Sequence, residues 1–133
     1  MKVGFTCSTF DLLHAGHIIM LREAKEQCDY LICGLQIDPS IDRPEKNSPI
    51  QTVVERYTQL KGVVYVDEII PYSTESDLED ILSMYPIDIR VLGEEYRDKD
   101  FTGKDLVPIT YISRTHDYST SELRERIFSK TDV

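Results

Sequence analysis

Cysteine, extended apolar sequence and positive charge are all scarce in this chain. Its 133 residues include only three cysteines. Cys7, Cys28 and Cys33 are odd in number and have no Cys-x-x-Cys spacing, which argues against a disulfide framework and a structural zinc site. They lie in or beside apolar segments and are expected to be buried thiols. No segment approaches the roughly 18 apolar residues of a membrane span. The start, Met1-Lys2-Val3-Gly4, enters a strand pattern without an apolar signal segment, so a cytoplasmic protein with no membrane insertion is expected. Lys and Arg number 15 against 24 Asp and Glu, a formal charge of −9, which disfavours nucleic acid or an anionic membrane as partner. Any phosphate ligand must be held by local positive charge. Repeats, low-complexity tracts and linkers are also missing, and the length suits a single domain, residues 1–133, whose core needs neither metal nor disulfide.

What is present is an alternation of two periodicities. Residues 2–7 favour a strand, and Ile18, Leu21, Ala24 and Lys25 then recur at helical spacing toward Cys28. Residues 30–35, Tyr-Leu-Ile-Cys-Gly-Leu, are a continuous apolar run, as in a parallel strand covered on both faces. Residues 37–49 hold three prolines together with Asp38, Asp42, Arg43, Lys46 and Asn47, and read as an irregular loop. A helix is predicted over 52–61 with an apolar stripe of Val53, Val54, Tyr57 and Leu60. A third strand follows over 63–70, closed by Pro71, and then an amphipathic helix over 76–84 on Leu78, Ile81 and Leu82. Residues 87–92 predict a fourth strand ending at Gly93, a charged loop runs to Lys104, and 107–112 predict a fifth strand. The last helix is capped by Ser119 or Thr120, with Glu122 placed for a capping box and Leu123 and Ile127 facing inward. This order predicts an α/β fold with a five-stranded parallel sheet, helices on both faces and ligands at the carboxyl ends of the strands. So small a sheet leaves an apolar edge or face, which a homodimer would cover.

The first strand-to-helix junction reads Thr9-Phe10-Asp11-Leu12-Leu13-His14-Ala15-Gly16-His17. The opening N–H groups of a helix lack intrahelical partners and carry partial positive charge, so an anion is favoured there. Gly16 would let it approach the backbone closely. His14 and His17, three apart, project to one side and can donate to the same phosphate. Two plainer readings of the pair are half-buried capping histidines and two ligands of a metal lacking its third. The junction after the fifth strand, Ser113-Arg114-Thr115-His116-Asp117-Tyr118-Ser119-Thr120-Ser121, repeats the design. Arg114 supplies a forked cation, and Ser119 and Thr120 supply hydroxyls at a second helix start, so two N-termini can grip one triphosphate.

The first junction resembles the His-x-Gly-His signature of the nucleotidyltransferase superfamily, and the longer Thr-Phe-Asp-Leu-Leu-His-x-Gly-His resembles its cytidylyltransferase branch. The second resembles that branch's Arg-Thr-x-Gly-x-Ser-Thr-Thr motif at Arg114, Thr115, Ser119 and Thr120, with Asp117 in place of Gly and Ser121 in place of Thr; Ser8 likewise replaces a Gly before Thr9. The resemblance spans essentially the whole chain. It implies a Rossmann-like domain, a homodimer, and transfer of a cytidylyl group from CTP with Mg²⁺ or another divalent cation to a small phosphorylated acceptor. His14, His17, Arg114 and Lys46 would act on the phosphates. Thr9 and Phe10 would contribute backbone contacts, and Gly16, Gly93, Glu94, Thr115, Tyr118, Ser119 and Thr120 would complete the nucleotide site. Asp11 and Arg56, the latter within Glu55-Arg56, would lie toward the substrate, Asp11 also orienting its loop. Glycerol-phosphate members carry basic residues around the third helix, where this chain has Val63-Val64 and the acidic 73–77 segment. That difference leaves room for a phospho-alcohol or, through an acidic pocket, a phospho-amine acceptor. The rival readings are an adenylyltransferase of the same superfamily, a nucleotide-binding module without turnover, and a flavodoxin-like signalling domain.

Overall fold

In the computed structural model, which describes residues 1–130, strand and helix alternate from the first element. Strand β1 (Val3–Ser8) leads into α1 (Ala15–Glu26), β2 (Tyr30–Gln36), a 3₁₀ turn at Pro39–Ile41 and α2 (Val53–Lys61). Then come β3 (Glu68–Tyr72), α3 (Glu75–Met84), β4 (Ile89–Gly93), a second 3₁₀ turn at Glu94–Tyr96, β5 (Ile109–Ile112) and α4 (Thr120–Lys130). The five strands form one sheet in the order β3-β2-β1-β4-β5, and every neighbouring pair is parallel. The chain winds outward from β1 to β3, then crosses back over β1 to build β4 and β5 on its other side. The point where winding reverses, between β1 and β4, is where a doubly wound sheet opens a crevice beyond its carboxyl edge.

Period-two alternation along β2 sorts the core into two layers. Leu31, Cys33 and Leu35 join Leu21 and Ala24 of α1 and Leu60 of α2 on one face. Ile32 joins Phe5, Tyr72 and the α3 residues Leu78, Ile81 and Leu82 on the other. Each fully buried Leu or Ile contributes about 1.5–3 kcal/mol relative to exposure, so the central strands anchor the frame. Gly34 permits the tight fit of β2, because a Cβ there would lie 2.8 Å from Phe5 Cζ and 2.9 Å from the Cys7 Cβ. Of the thiols only Cys33 is fully buried, and burial pushes its pKa up; Cys7 and Cys28 are partly covered. No helix among the described residues is long and apolar enough to cross a membrane.

Three expectations change. Strand β3 starts at Glu68, not residue 63, and includes Pro71 instead of ending before it. It is an edge strand, where the missing proline N–H is tolerated. Val54 of the predicted α2 stripe is 70% exposed. Helix α4 has no buried residue, and Ile127, expected to face inward, is 54% exposed.

Candidate active site

The β1–α1 loop is held in a shape its own residues would not choose. Phe10 and Leu12 both take left-handed backbone conformations (φ 50° and 52°), a cost on the order of 1 kcal/mol each that persists only where neighbours over-determine it. Between them, the buried Asp11 carboxylate accepts from Ile50 N (2.9 Å), Gln51 N (3.0 Å) and Arg124 Nη2 of α4 (3.0 Å). Burial pushes its pKa up, but these donors prevail and hold it below the ordinary carboxylate value. Leu12 N donates to Gln51 Oε1 at 2.8 Å. Phe10 is fully buried, its ring centroid 5.9 Å from that of His17.

Arg56 departs from its expected place toward the substrate. It is 2% exposed, and its guanidinium donates to the carbonyls of Thr9 (3.0 Å), Gln36 (2.7 Å), Ile37 (2.6 Å) and Gln51 (3.1 Å). The planar fork ties the ends of β1 and β2 to the start of α2, and four of its five N–H groups are committed to backbone carbonyls.

His14 and His17 form an unusual capping box at the head of α1. His14 is the N-cap, its Nδ1 accepting from Gly16 N at 2.9 Å, while its own N–H donates to His17 Nδ1 at 3.1 Å. With both Nδ1 atoms acting as acceptors, the hydrogen-bond network assigns each ring's proton to Nε2. Burial lowers the His14 pKa, helped by repulsion from His116 and Arg114. Burial, with repulsion from His14, brings His17 down to about 4. At neutral pH the pair is a set of uncharged N–H donors. His14 Nε2 lies 3.2 Å from Thr120 Oγ1, whose hydroxyl lies 3.4 Å from the Asp11 carbonyl. His14 therefore struts the starts of α1 and α4 together, and His17 keeps an Nε2–H with no protein partner among the described residues. Gly16 serves this packing: a Cβ there would meet His14 Cε1 at 2.7 Å and His116 Cε1 at 2.8 Å.

The second motif closes over the first. Ser119 caps α4, its hydroxyl accepting from Glu122 N at 3.0 Å. Arg114 is exposed and donates to the carbonyls of His116 and Tyr118, bracing its own loop. Thr115 Oγ1 lies 3.4 Å from Glu23 Oε1. The result is a cleft of ≈ 360 Å³ at the β1/β4 switch point, with His14, His17, Gly93, Arg114, Ser119 and Thr120 on its walls. A second cavity of ≈ 230 Å³, lined by Thr9, Asp11, Lys46, Ser48 and Arg124, shares Ser8, His17 and Thr120 with it. Lys46 is exposed there, and Arg124 Nε is buried without a hydrogen-bond partner among the described residues.

Glu94, expected at the nucleotide, instead pairs with Arg97 (Oε2 to Nη2, 2.9 Å), and its neighbour Glu95 lines the cleft. The carboxylates of the acidic 73–77 segment are engaged by neighbours within the protein. Thr74 is the N-cap of α3, Asp77 accepts from Ser73 N and Thr74 N to complete the capping box, and Glu75 pairs with Arg43 at 3.1 Å. The sequence motifs assigned no role to His116 or Arg124. His116 is one of only three histidines in the chain, and Arg124 lies one helical turn beyond Thr120, so both carried a readable signal.

A parallel sheet whose switch point holds two helix starts and paired imidazole donors is the frame of a nucleotidyltransferase, an enzyme that handles the phosphates of a nucleoside triphosphate. The model of the cytidylyltransferase-like family matches residues 5–126, and the chain belongs to that family. It is 33% identical to the glycerol-3-phosphate cytidylyltransferase of Staphylococcus aureus over 130 residues, 98% of either chain. Similarity to the bifunctional protein HldE of Paramagnetospirillum magneticum is 39% identity over 107 residues, 80% of this chain and 22% of that protein. Among solved structures, that of the lipopolysaccharide core biosynthesis protein from Thermoplasma volcanium GSS1 matches with a TM-score of 0.68 at 25% identity, covering 90% of this chain and 99% of that one.

Proposed function

We propose that this cytidylyltransferase moves the cytidylyl group of CTP onto a small phosphorylated alcohol, glycerol 3-phosphate or a close relative, with release of pyrophosphate. The reading rests chiefly on the two cavities that share His17 and Thr120. A nucleotide in the larger cleft and an acceptor phosphate near Lys46 and Arg124 would meet at that wall. An acceptor phosphate oxygen attacks the α-phosphorus, the bond from that phosphorus to the β-bridging oxygen breaks, and the electron pair leaves with pyrophosphate. A phosphomonoester is largely ionised at neutral pH, with a second pKa of about 6, so the chain needs no strong base. Its task is to position both partners and offset developing negative charge. The Nε2–H of His17 would donate at the α-phosphate, with His14 joining when a phosphate oxygen replaces the Thr120 hydroxyl.

A phospho-alcohol is favoured over a phospho-amine because the carboxylates of the 73–77 segment are occupied by caps and by Arg43. The small cavity presents Lys46 and Arg124, with Asp11 already matched by its three donors.

Among the described residues no group of three or more His, Cys, Asp or Glu side chains is suited to hold a metal. Mg²⁺ is therefore proposed to arrive with CTP, ligated by phosphate oxygens and water, as is common for this ion. The test is to incubate the protein with Mg²⁺, each of the four nucleoside triphosphates and a panel of phosphorylated acceptors while following pyrophosphate release. CTP with glycerol 3-phosphate or another phospho-alcohol is expected to give turnover; release with ATP and none with CTP overturns the reading.

A further inference from the structure

All three histidines of the chain converge on one cleft, and the third of them is His116. Its ring comes from the β5–α4 loop and rests on the first turn of α1. The Cε1 atoms of His14 and His116 sit 2.7 and 2.8 Å from where a Gly16 Cβ would be, so the two imidazoles lean on one α-carbon from opposite loops. His116 Nδ1 accepts from Tyr118 N at 3.1 Å, and the ring stacks on that of Tyr118 with centroids 5.5 Å apart and planes inclined by 26°. An accepting Nδ1 leaves the proton of the neutral ring on Nε2. The Cε1 edge, which Nε2 borders, faces the helix start, where unpaired N–H groups and the helix dipole favour an anion. No protein group among the described residues bonds to His116 Nε2.

We propose that His116 is a third imidazole of the phosphate clamp, donating its Nε2–H to a non-reacting oxygen of the bound triphosphate. The inference builds on the nucleotidyl-transfer reading. It assigns His116 to holding the nucleotide, whereas His17 acts at the reacting phosphorus. In a chain of net charge −9, a third imidazole N–H beside Arg114 adds local grip on a polyanion.

The two nitrogens can be tested separately. In His116→Asn the side-chain oxygen approximates the Nδ1 position and can still accept from Tyr118 N. In His116→Gln the amide N–H reaches toward the Nε2 position. Titration calorimetry on the whole chain, with CTP plus Mg²⁺ and with inorganic tripolyphosphate as a base-free probe, gives Kd for wild type and for the Ala, Asn and Gln variants. Circular dichroism checks that each variant is folded. Loss of a donor to a charged oxygen should raise Kd roughly tenfold in His116→Ala and His116→Asn, with His116→Gln returning to within about threefold of wild type.

Asn near wild type with Gln weak would make the ring a loop cap and overturn the proposal. Three variants that all match wild type, or all weaken equally through lost packing on Tyr118, overturn it as well. The expected pattern on tripolyphosphate, without any preference for CTP in binding or turnover, upholds His116 while overturning the cytidylyl reading. Turnover of CTP without the pattern does the reverse, and a wild type that binds neither probe overturns both.

Discussion

The backbone N–H of His14 donates to Nδ1 of His17 at 3.1 Å, and that bond leaves Nε2 as the free nitrogen of a ring that lines the cleft. The histidine three residues into α1 completes a helix cap with one ring nitrogen and offers the other to the cleft. Capping and the proposed phosphate contact, which compete as explanations when only the spacing is known, would fall to opposite edges of one ring.

His17→Ala removes both. Turnover should fall on the order of 10²-fold or more, as for loss of a donor at a reacting centre, and stability by about 1 kcal/mol, as for loss of a helix cap. Steady-state kinetics beside urea denaturation separate the two effects. Unchanged turnover removes His17 from the chemistry.

The same ring predicts a pH dependence. Its pKa is about 4 in the folded chain against 6.5 for the free side chain, so below pH 6.5 the unfolded state takes up the proton first. The stabilisation is therefore complete above 6.5 and lost progressively as pH falls toward 4, at most on the order of 3 kcal/mol. Unfolding free energies of wild type and His17→Gln, measured between pH 7.5 and about 4.5, should converge as pH falls. A constant gap between them rejects the assignment.

Gly16→Ala would ordinarily strengthen a helix by up to about 1 kcal/mol. Here the added methyl collides with the rings of His14 and His116, and one or both must move. The variant should remain folded by circular dichroism yet lose at least about tenfold in kcat/KM, following the sensitivity of transfer to small displacements. Wild-type kinetics would show that the rings have room to spare.

Arg56→Met should act on stability before chemistry. It strips four carbonyls of their donor, at about 1–3 kcal/mol for each left buried and unpaired. Destabilisation of about 3–5 kcal/mol in urea is expected. A stable protein with weakened acceptor binding would restore Arg56 to the substrate side.

Lys46→Ala is its counterpart. The side chain is exposed on the smaller cavity, so stability should stay within about 0.5 kcal/mol of wild type. Turnover should drop at least about tenfold through lost charge neutralisation. Equal activity would leave the residue a solvated loop charge.

Much of the architecture can be read from residue patterns alone. The apolar run of β2 announces a strand covered on both faces, and the stripe of Val53, Tyr57 and Leu60 announces α2. Errors fall where an element lies at the margin of the sheet. Val63, within the stretch read as strand, packs into the core ahead of β3, and Pro71 fits an edge that has no outer neighbour. Helix α4 shows an apolar period of the usual kind, but no layer of the sheet receives Ile127.

For the site, the local sequence determined which chemistry was available: helix starts carrying His14, His17, Ser119 and Thr120, with Arg114 and Lys46 as local cations in an acidic chain. These follow from propensity and spacing, which act over a few residues. Tertiary structure decided the rest, because it depends on partners far apart along the chain. It turned Arg56 inward onto four carbonyls, paired Glu94 with Arg97 so that Glu95 faces the cleft, joined His14 to Thr120 106 positions away, and brought His116 against Gly16. A charged side chain reads the same in sequence whether it meets solvent, a backbone carbonyl or a ligand. The fold decides which by bringing the competing partners within hydrogen-bond reach.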